Sequence, residues 1–289
     1  MGERIGVVAP GAMGVALGRC LLAGGHQVLV ALDGRSAATV ARARSLTDYG
    51  DLDTLVASAD VVLSVVPPGE ALAVADELAA ARERTGARPL VAELNAVAPA
   101  VVEEIAARLS GDLVDGAVSG APPRPDSAAP TRVFLSGPRA GEIAALRAPG
   151  VRWIPLDGPV GAASAAKMCT ASVRKGYQAL LAHALLTAEA HGVLDTVLAD
   201  LRLEFPDAGV GPVAVAATKA WRFVDEMEQI AVTQSGAGLT PELFTAMATV
   251  YRDLATSAWG TRRPDDVRPD QADLADLRPR RPGISGERR

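Results

Sequence analysis

Apolar runs bounded by turn residues alternate with helical patterns over the first 157 residues of the chain. The apolar runs read RIGVVA, QVLVAL, DVVLSVV, PLVAEL, LVDGAV and RVFLSG, and helical stretches such as MGVALGRCLLAGG and APAVVEEIAARL lie between them. This alternation predicts a mostly parallel sheet with helices on both faces. Because the runs are almost continuous in Val and Leu, we expect strands that are buried on both sides. The predicted fold class is α/β, with an N-terminal Rossmann-type doubly wound sheet.

The pattern changes after this region. From Gly161 to about Gly192 one helical stretch runs without proline, and further helical segments follow without a convincing strand. A helix of about 30 residues would be ~45 Å long, so we expect it to form a spine between the two subunits of a homodimer. The predicted domains are an NADP-binding Rossmann domain (1–158), an all-helical substrate and dimerisation domain (159–260) and a disordered tail (261–289). The tail is predicted to be disordered because it is rich in Pro, Arg and Asp and poor in apolar residues.

Composition narrows the possible partners and compartments. The 289 residues are 49 % hydrophobic and 22 % charged, and the net charge of −5 gives no reason to expect nucleic-acid binding. No secretory leader or apolar run of membrane-spanning length is seen, so a cytoplasmic protein without a membrane partner is expected. Cys20 and Cys169 both fall in helical patterns, which argues against a disulfide framework. His26, His183 and His191 lack the spacing of metal ligands, so no metal is expected.

The stretch IGVVAPGAMG, residues 5–14, carries a glycine turn between a strand and a helix. In a G-x-G-x-x-G dinucleotide loop, the second glycine lets the backbone approach the pyrophosphate and the third lets helix and strand pack closely. Ala9 occupies the first glycine position, and Pro10 is expected to restrict it to extended geometry. The following helix would direct its N-terminal amides at an anion, although an ordinary strand–turn–helix remains an alternative. The candidate cofactor-binding residues here are Ala9, Pro10, Gly11, Ala12, Met13 and Gly14.

The stretch ALDGRS at the end of the second predicted strand bears on the choice of cofactor. An acid such as Asp33 commonly holds the ribose hydroxyls of NAD. Arg35 and Ser36 follow directly, and a guanidinium beside a hydroxyl suits the 2′-phosphate of NADP. Asp33 could instead cap the next helix, and Arg35 could be a solvated surface charge. We favour NADP, with NAD as the alternative.

Lysine is rare in this chain, since only Lys167, Lys175 and Lys219 occur among 29 basic residues. Lys167 and Lys175 share one face of the long predicted helix. A partly desolvated ammonium can stabilise the oxygen charge that hydride transfer creates and then donate its proton, which arginine cannot do. Lys167 is the candidate catalytic residue, and Lys175, ~12 Å further along the axis, is a candidate for a distal anionic group of the substrate or for a subunit contact. The alternative is that both are solvated helix lysines.

The motifs LNAVAP, DGAVSGAPP, FLSGP and GAASAAKMCTASVRKG together resemble the β-hydroxyacid dehydrogenase superfamily, which includes 3-hydroxyisobutyrate and 6-phosphogluconate dehydrogenases. The resemblance covers residues 3 to about 260, and it is greatest for a less characterised branch with a 6-phosphogluconate dehydrogenase-like helical domain. It implies that Lys167 is the catalytic lysine and that Ser119 and Gly120 bind the substrate carboxylate. It further implies that Asn95 lies beside substrate and nicotinamide, and that Val66 and Pro67 run beneath the cofactor riboses.

Three positions depart from the family pattern. Ala9 replaces the first glycine, the sequence from Glu93 to Ala96 replaces an acid-x-Ser-Thr motif, and Ala171 stands where many members have asparagine one turn after the lysine. The last departure leaves the substrate open, because that amide normally orients the reacting end. Asn95 is a candidate to supply a replacement amide.

The function expected from the sequence is an NADP(H)-dependent oxidoreductase that interconverts a small anionic hydroxy acid and its carbonyl form. One alternative is an imine reductase of the same fold. Another is oxidation followed by decarboxylation, which requires a β-keto acid product. A third is a sensor that binds NADP without chemistry and has no need of Lys167.

Overall fold

The structure is a computed structural model that describes residues 2–111, 113–263 and 267–279. The chain forms two compact units, and the division falls between Cys169 and Thr170. This division lies inside a long helix, later than the boundary predicted at residue 158. The start of this helix, at Gly161 and Ser164, is hydrogen-bonded to Asp115 in the sheet of the first unit. This explains why the first unit extends into the helix.

In the part of the first unit that the structure describes, eight strands form one sheet. The strands are β1 Arg4–Val8, β2 Gln27–Val30, β3 Thr47–Asp48, β4 Val61–Ser64, β5 Leu90–Glu93, β6 Leu113–Ser119, β7 Thr131–Ser136 and β8 Val151–Pro155. The six predicted strands are confirmed, and the short β3 and the half-exposed β8 were not predicted. Neither is a long apolar run bounded by turns, since β3 has two exposed residues and β8 mixes Arg, Trp and Pro with two apolar positions.

The strand order is β3-β2-β1-β4-β5-β6-β7-β8. All neighbours pair in parallel except β6 and β7, which are antiparallel. The predicted doubly wound, mostly parallel sheet is therefore confirmed. The order reverses between β1 and β4, and in such sheets the crevice for a ligand lies outside the carboxyl ends of the strands at that point.

Helices connect most of the strands and cover both faces of the sheet. In the first unit they are α1 Ala12–Ala23, α2 Ala37–Ala43, α3 Leu52–Ser58, α4 Ala71–Thr85, α5 Pro99–Arg108 and α6 Ala140–Ala144. Two apolar clusters divide the strand residues by alternation. For example, Val7 and Leu63 belong to one cluster, and Val8 and Val62 to the other. Burial on both faces, expected from the continuous Val and Leu runs, is confirmed.

The long helix α7 spans Ala162–Ala190, close to the range that the sequence predicted. It is followed by α8 Leu194–Glu204, α9 Val210–Ala217, α10 Ala220–Gly236 and α11 Glu242–Thr256. Between α7 and residue 279, the described part of the chain contains helices and no strand, as expected. No helix among the residues that the structure describes is both long enough and apolar enough to cross a membrane.

Residues 261–279 correct the expectation of a disordered tail where the structure describes them. Pro269–Gln271 and Leu274–Leu277 form 3-10 turns, and the side chains of Leu274 and Leu277 are buried. The indole of Trp259 also donates a hydrogen bond to the carbonyl oxygen of Asp273. The segment is polar in overall composition, but its two leucines, three residues apart, are buried and pack it against the rest of the protein. The rest of the predicted tail, 264–266 and 280–289, lies outside the described residues.

Candidate cofactor and catalytic site

The glycine turn after β1 has an unusual backbone at its first position. Ala9 has a φ of +52°, in the left-handed region where glycine is the usual residue. The expectation that Pro10 restricts Ala9 to extended geometry is therefore wrong. The amide of Gly11 donates to the carbonyl oxygen of Ala9 at 2.7 Å, and this tight closure around Pro10 imposes the turn. Alanine has an unbranched Cβ, so it is less strained in this conformation than a β-branched residue would be.

The other two glycines of the turn meet the needs of a dinucleotide loop. A Cβ on Gly14 would lie 3.0 Å from a methyl group of Val7, so the helix packs closely on the strand. A Cβ on Gly11 would meet only one atom within 4 Å, which leaves open space in front of the helix. Among the described residues, α1 has no side-chain cap and no acid in its first turn. Its N-terminal amides are thus available to an anion, and the loop fits the pyrophosphate of a dinucleotide.

The loop after β4 lies on the other side of the switch point. After Val65 it contains Val66 and Pro67 and continues into a 3-10 turn at Pro68–Glu70. The amide of Val66 donates to Oδ1 of Asn95 at 2.6 Å, and Nδ2 of Asn95 donates to Oγ of Ser64 at 3.2 Å. Asn95 is 4 % exposed, so its side chain holds the Val66 loop from inside the sheet edge.

At the end of β2, Ser36 is the N-cap of α2, and its hydroxyl accepts from the amide of Thr39. Ser36 therefore has the capping role that the sequence analysis considered for Asp33. Arg35 is exposed at the same turn. Both residues follow the carboxyl end of a strand adjacent to β1, on the same edge as the glycine turn.

Ser119 ends β6 and is 6 % exposed, and Gly120 follows with a φ of +148°. That φ requires glycine, which explains the residue type in the VSG motif. Because β6 runs parallel to β5, this loop too lies on the carboxyl edge of the sheet.

The start of α7 is fixed to β6 by a buried carboxylate. The amide of Gly161 and the amide and hydroxyl of Ser164 all donate to the carboxylate of Asp115, at 2.9, 3.0 and 2.7 Å. Ser136 on β7 donates to Asp115 at 2.9 Å and accepts from the amide of Ala163 at 3.0 Å. The N-terminal amides of α7 are therefore satisfied by the protein, unlike those of α1. Lys167 follows in the next turn, and the residue is partly buried.

A second buried carboxyl lies beside Asp115 in the sheet. Glu93 on β5 is in register with Asp115 on β6, and the two residues are 2 % and 0 % exposed. The pKa of Glu93 is raised to about 8: burial is the main cause and the neighbouring charge of Asp115 adds to it, while hydrogen bonds from Ser64 and from Asn95 lower the pKa and offset part of the rise. Glu93 is therefore a neutral acid at pH 7.

The sequence reasoning did not single out Asp115, Ser136 or Ser64, and it named Glu93 only as a departure from the family motif. A signal for them was present, because Ser64, Glu93 and Asp115 interrupt or end runs that are otherwise apolar. A polar residue in such a strand must find a partner in the interior.

Lys175 lies in the second unit, in contrast to the other candidates, which all lie in the first. Its ammonium forms an ion pair with Glu226, and both side chains are 13 % exposed. The same nitrogen lies 4.3 Å from the ring centroid of Phe223. The charge of Lys175 therefore already has partners within the helical unit.

Among the described residues no cluster of three His, Cys, Asp or Glu could hold a metal ion. His26 instead accepts a hydrogen bond at Nδ1 from the amide of Glu3. Cys20 is buried and Cys169 is exposed, and neither forms a disulfide.

Two family models match parts of the chain. Residues 4–87 match the model described as NADP oxidoreductase, coenzyme F420-dependent. Residues 188–254 match a domain of unknown function. The first match supports the oxidoreductase class that the sequence predicted. No curated protein sequence matches the chain.

Solved structures resemble the chain over most of its length. A conserved protein of unknown function, described as structurally similar to 3-hydroxyacid dehydrogenases, is 27 % identical, with 87 % of this chain and 96 % of that chain covered and a TM-score of 0.67. The 3-hydroxyisobutyrate dehydrogenase of Mycobacterium tuberculosis is 22 % identical, with 96 % and 98 % covered and a TM-score of 0.67. An imine reductase of Streptomyces aurantiacus is 20 % identical, with 91 % and 97 % covered and a TM-score of 0.54. These matches confirm the predicted fold: the chain has a fold similar to that of 3-hydroxyisobutyrate dehydrogenases, and its N-terminal part matches an NADP oxidoreductase family model.

Proposed function

We propose that the protein is an NADP(H)-dependent oxidoreductase that interconverts a small hydroxy acid and its carbonyl form, with Lys167 as general acid and base. The observation that supports this most is the anchoring of α7 by Asp115. Asp115 lies on β6, the strand that ends at the proposed carboxylate loop, Ser119 and Gly120. One strand therefore holds the start of the helix that carries Lys167 and also leads to the residues proposed to bind the substrate.

The uncapped N-terminus of α1 supports a dinucleotide at the glycine turn, held by the amides of residues 11–14. Bound NADPH would supply a hydride to the carbonyl carbon of the substrate. Arg35 and Ser36 would bind the 2′-phosphate, and Val66 and Pro67 would contact the riboses. Ser36 can cap α2 and still donate its hydroxyl proton to a phosphate oxygen.

Lys167 would act on the oxygen of the reacting carbonyl. As the hydride reaches carbon, negative charge develops on oxygen, and the ammonium stabilises this charge and then gives it a proton. In the oxidative direction the neutral amine takes the hydroxyl proton back. The hydroxyl of Ser119 and the amide of Gly120 would hold the carboxylate of the substrate.

Asn95 and Lys175 were expected to touch the substrate, and we assign them other primary roles. The hydrogen bonds of Asn95 to Val66 and Ser64 support a role in shaping the cofactor loop. The ion pair of Lys175 with Glu226 supports a role in holding α7 against α10 within the helical unit. A contact of either residue with substrate stays a prediction.

The choice of NADP over NAD is tested by replacing Arg35. We expect Arg35→Ala to weaken NADPH binding about tenfold to a hundredfold, the range for a hydrogen bond to a charged group, and to leave NADH binding unchanged. Fluorescence titration with both cofactors measures this. Arg42→Ala is the matched control, because Arg42 is also exposed and lies in the last turn of α2, the helix that follows Arg35 and Ser36. Equal losses for both cofactors, or no loss for NADPH, would contradict the assignment.

Two other functions fit parts of the chain. The similarity in fold to an imine reductase favours reduction of a C=N bond as the second candidate, and an NADP-binding sensor would need only the glycine turn. Loss of NADPH absorbance with a panel of keto acids, aldehydes and cyclic imines separates the three. Turnover of keto acids or acidic aldehydes supports the proposal, turnover of imines alone supports the second candidate, and binding without turnover supports the sensor. Carbon dioxide release with β-hydroxy acids and NADP would add decarboxylation after oxidation.

We also propose that the protein is a homodimer in which the helical unit supplies the contact. Apolar side chains are exposed on α7 and α10, where Val173, Leu180 and Trp221 are 73 %, 60 % and 62 % exposed. Within the described chain α8 has no buried residue although four of its eleven residues are Leu. Surfaces of this kind mark interfaces with another protein, and a second copy of the chain is the occupant we propose.

A further inference from the structure

A line of buried polar side chains crosses the sheet from the end of β4 to the start of α7. Ser64, Glu93, Asp115 and Ser136 pair in register on the adjacent strands β4, β5, β6 and β7, and we call them the polar row. All four are buried. Residues that pair in register project to the same face of a sheet, so these side chains form one line. The row on β4, β5 and β6 lies two residues beyond an apolar line of Val62, Val91 and Leu113 on the same face.

One end of the polar row holds the loop after β4. Asn95 links this loop to the row, because Oδ1 accepts from the amide of Val66 and Nδ2 donates to Oγ of Ser64. The backbone amide of Asn95 donates to Oε1 of Glu93 at 3.0 Å. The position of Val66 therefore depends on a side chain that two members of the row hold.

The other end holds the first turn of α7. Asp115 accepts four hydrogen bonds, from Ser136, from Gly161 and twice from Ser164. An acceptor of four donors is suited to an ionised carboxylate. Lys167 lies three residues after Ser164, on the same side of the helix. The contacts of Asp115 therefore fix the position of this helical turn along the helix axis and its rotation about that axis.

We infer that Glu93 and Asp115 are positioning residues, which through the polar row hold the Val66 loop and the Lys167 turn of α7 in one fixed arrangement. This inference rests on the proposed function for its catalytic meaning. In this arrangement Asp115 accepts the hydrogen bonds of the helix amides, and Glu93 stays neutral beside it and accepts hydrogen bonds from Ser64 and from the amide of Asn95. Two adjacent buried charges would repel each other and loosen both ends.

The scarcity of lysine provides a direct test that needs no substrate. Reductive methylation with a ¹³C label gives one signal for each of the three lysines besides that of the N-terminal amine, and Lys→Arg variants assign the lysine signals. We expect Asp115→Asn to move the signal of Lys167 and to leave that of Lys219 in place. Ser164→Ala removes only one of the four donors to Asp115, the hydroxyl of Ser164, and should move the same signal by less.

Glu93 tests whether the two ends are linked. We expect Glu93→Gln, which mimics the neutral acid, to preserve the Lys167 signal and NADPH affinity. Glu93→Leu should move the Lys167 signal and weaken NADPH binding about tenfold, the value of one well-formed hydrogen bond. Arg82→Met is the matched control, since it removes buried hydrogen bonds from α4 to Leu109 and Pro89 in the same unit without touching the row.

The inference is overturned if the Lys167 signal of Asp115→Asn and of Ser164→Ala coincides with that of the unchanged protein. It is also overturned if Glu93→Leu changes the Lys167 signal and NADPH affinity no more than Arg82→Met does. Failure of the proposed function would look different, because the unchanged protein would then bind no NADPH, or would bind it and reduce no keto acid or acidic aldehyde. In that case the Lys167 signals alone still decide whether Asp115 and Glu93 position the helix.

Discussion

At the scale of single residues, the site depends on positions where backbone and burial restrict the side chain. Ala9 holds a left-handed backbone that favours glycine, at the turn proposed to approach the cofactor phosphates. Glu93 holds a proton at neutral pH because it is buried beside Asp115. Alanine at position 9 strains the backbone more than glycine would, and glutamate at position 93 is costlier to bury than an apolar residue. Such local costs are common at functional sites.

Ala9 should tolerate glycine and reject a β-branched residue. We expect Ala9→Val to lower the free energy of unfolding by about 1–3 kcal/mol, because a branched side chain at positive φ is strained, and to weaken NADPH binding. Ala9→Gly should stay within about 1 kcal/mol of the unchanged protein, since relief of strain offsets the larger entropy of the unfolded chain. Urea unfolding measures the stability and fluorescence titration the affinity. An Ala9→Val protein as stable as Ala9→Gly would contradict the positive φ.

Glu93 should give the protein a stability that falls as the pH rises. Its pKa is about 8 in the folded protein, against an ordinary value of 4.5, so the folded state binds the proton more tightly. The stabilisation is complete below pH 4.5 and is lost as the pH rises to about 8, with a slope of up to about 1.4 kcal/mol per pH unit. Glu93→Gln should flatten this slope in urea unfolding at a series of pH values between 5 and 8. An unchanged slope in Glu93→Gln would show that Glu93 ionises at its ordinary pKa.

At the scale of elements, the sequence predicted most strands and the long helix because their hydrophobic patterns are continuous. The runs that became β1, β2, β4, β5, β6 and β7 are bounded by turn residues, and α7 contains no proline to end it. The short β3, the half-exposed β8 and the turn at Leu274–Leu277 were missed, because their formation depends on contacts with distant elements.

The same distinction holds for the candidate site. The glycine turn, the VSG loop and Lys167 could be named from local motifs. The capping of α7 by Asp115 could not, since it joins residues that are 46 and 49 positions apart in the chain. The pairing of Asn95 with Val66 likewise depends on the register of β4 with β5, which a single sequence does not give.

At the scale of the whole molecule, the two compact units differ in how their apolar residues are arranged. The first unit covers both faces of its sheet, whereas the large apolar side chains that remain exposed lie almost entirely in the second unit, with Val40 as the exception among the described residues. This asymmetry is what a helical unit that forms a subunit interface would show.

The proposed dimer should be sensitive to a charge on the exposed face of α7. We expect Leu180→Glu to convert the dimer to a monomer, because a buried carboxylate without a partner is costly at an interface. Size-exclusion chromatography with light scattering gives the mass. Val40→Glu, at the exposed apolar residue of the first unit, is the matched control and should remain dimeric. A protein that is monomeric without any substitution would contradict the proposal.

The proposed function requires Lys167 to move the proton in an NADPH-dependent reduction. The most direct measurement is the rate of NADPH oxidation with a carbonyl acid that the unchanged protein turns over, compared with Lys167→Ala and Lys167→Arg. We expect both variants to lose at least about a hundredfold in kcat, the usual effect of removing a general acid, while their affinity for NADPH stays within about twofold. A variant that binds NADPH normally and turns over within a few-fold of the unchanged protein would contradict the account.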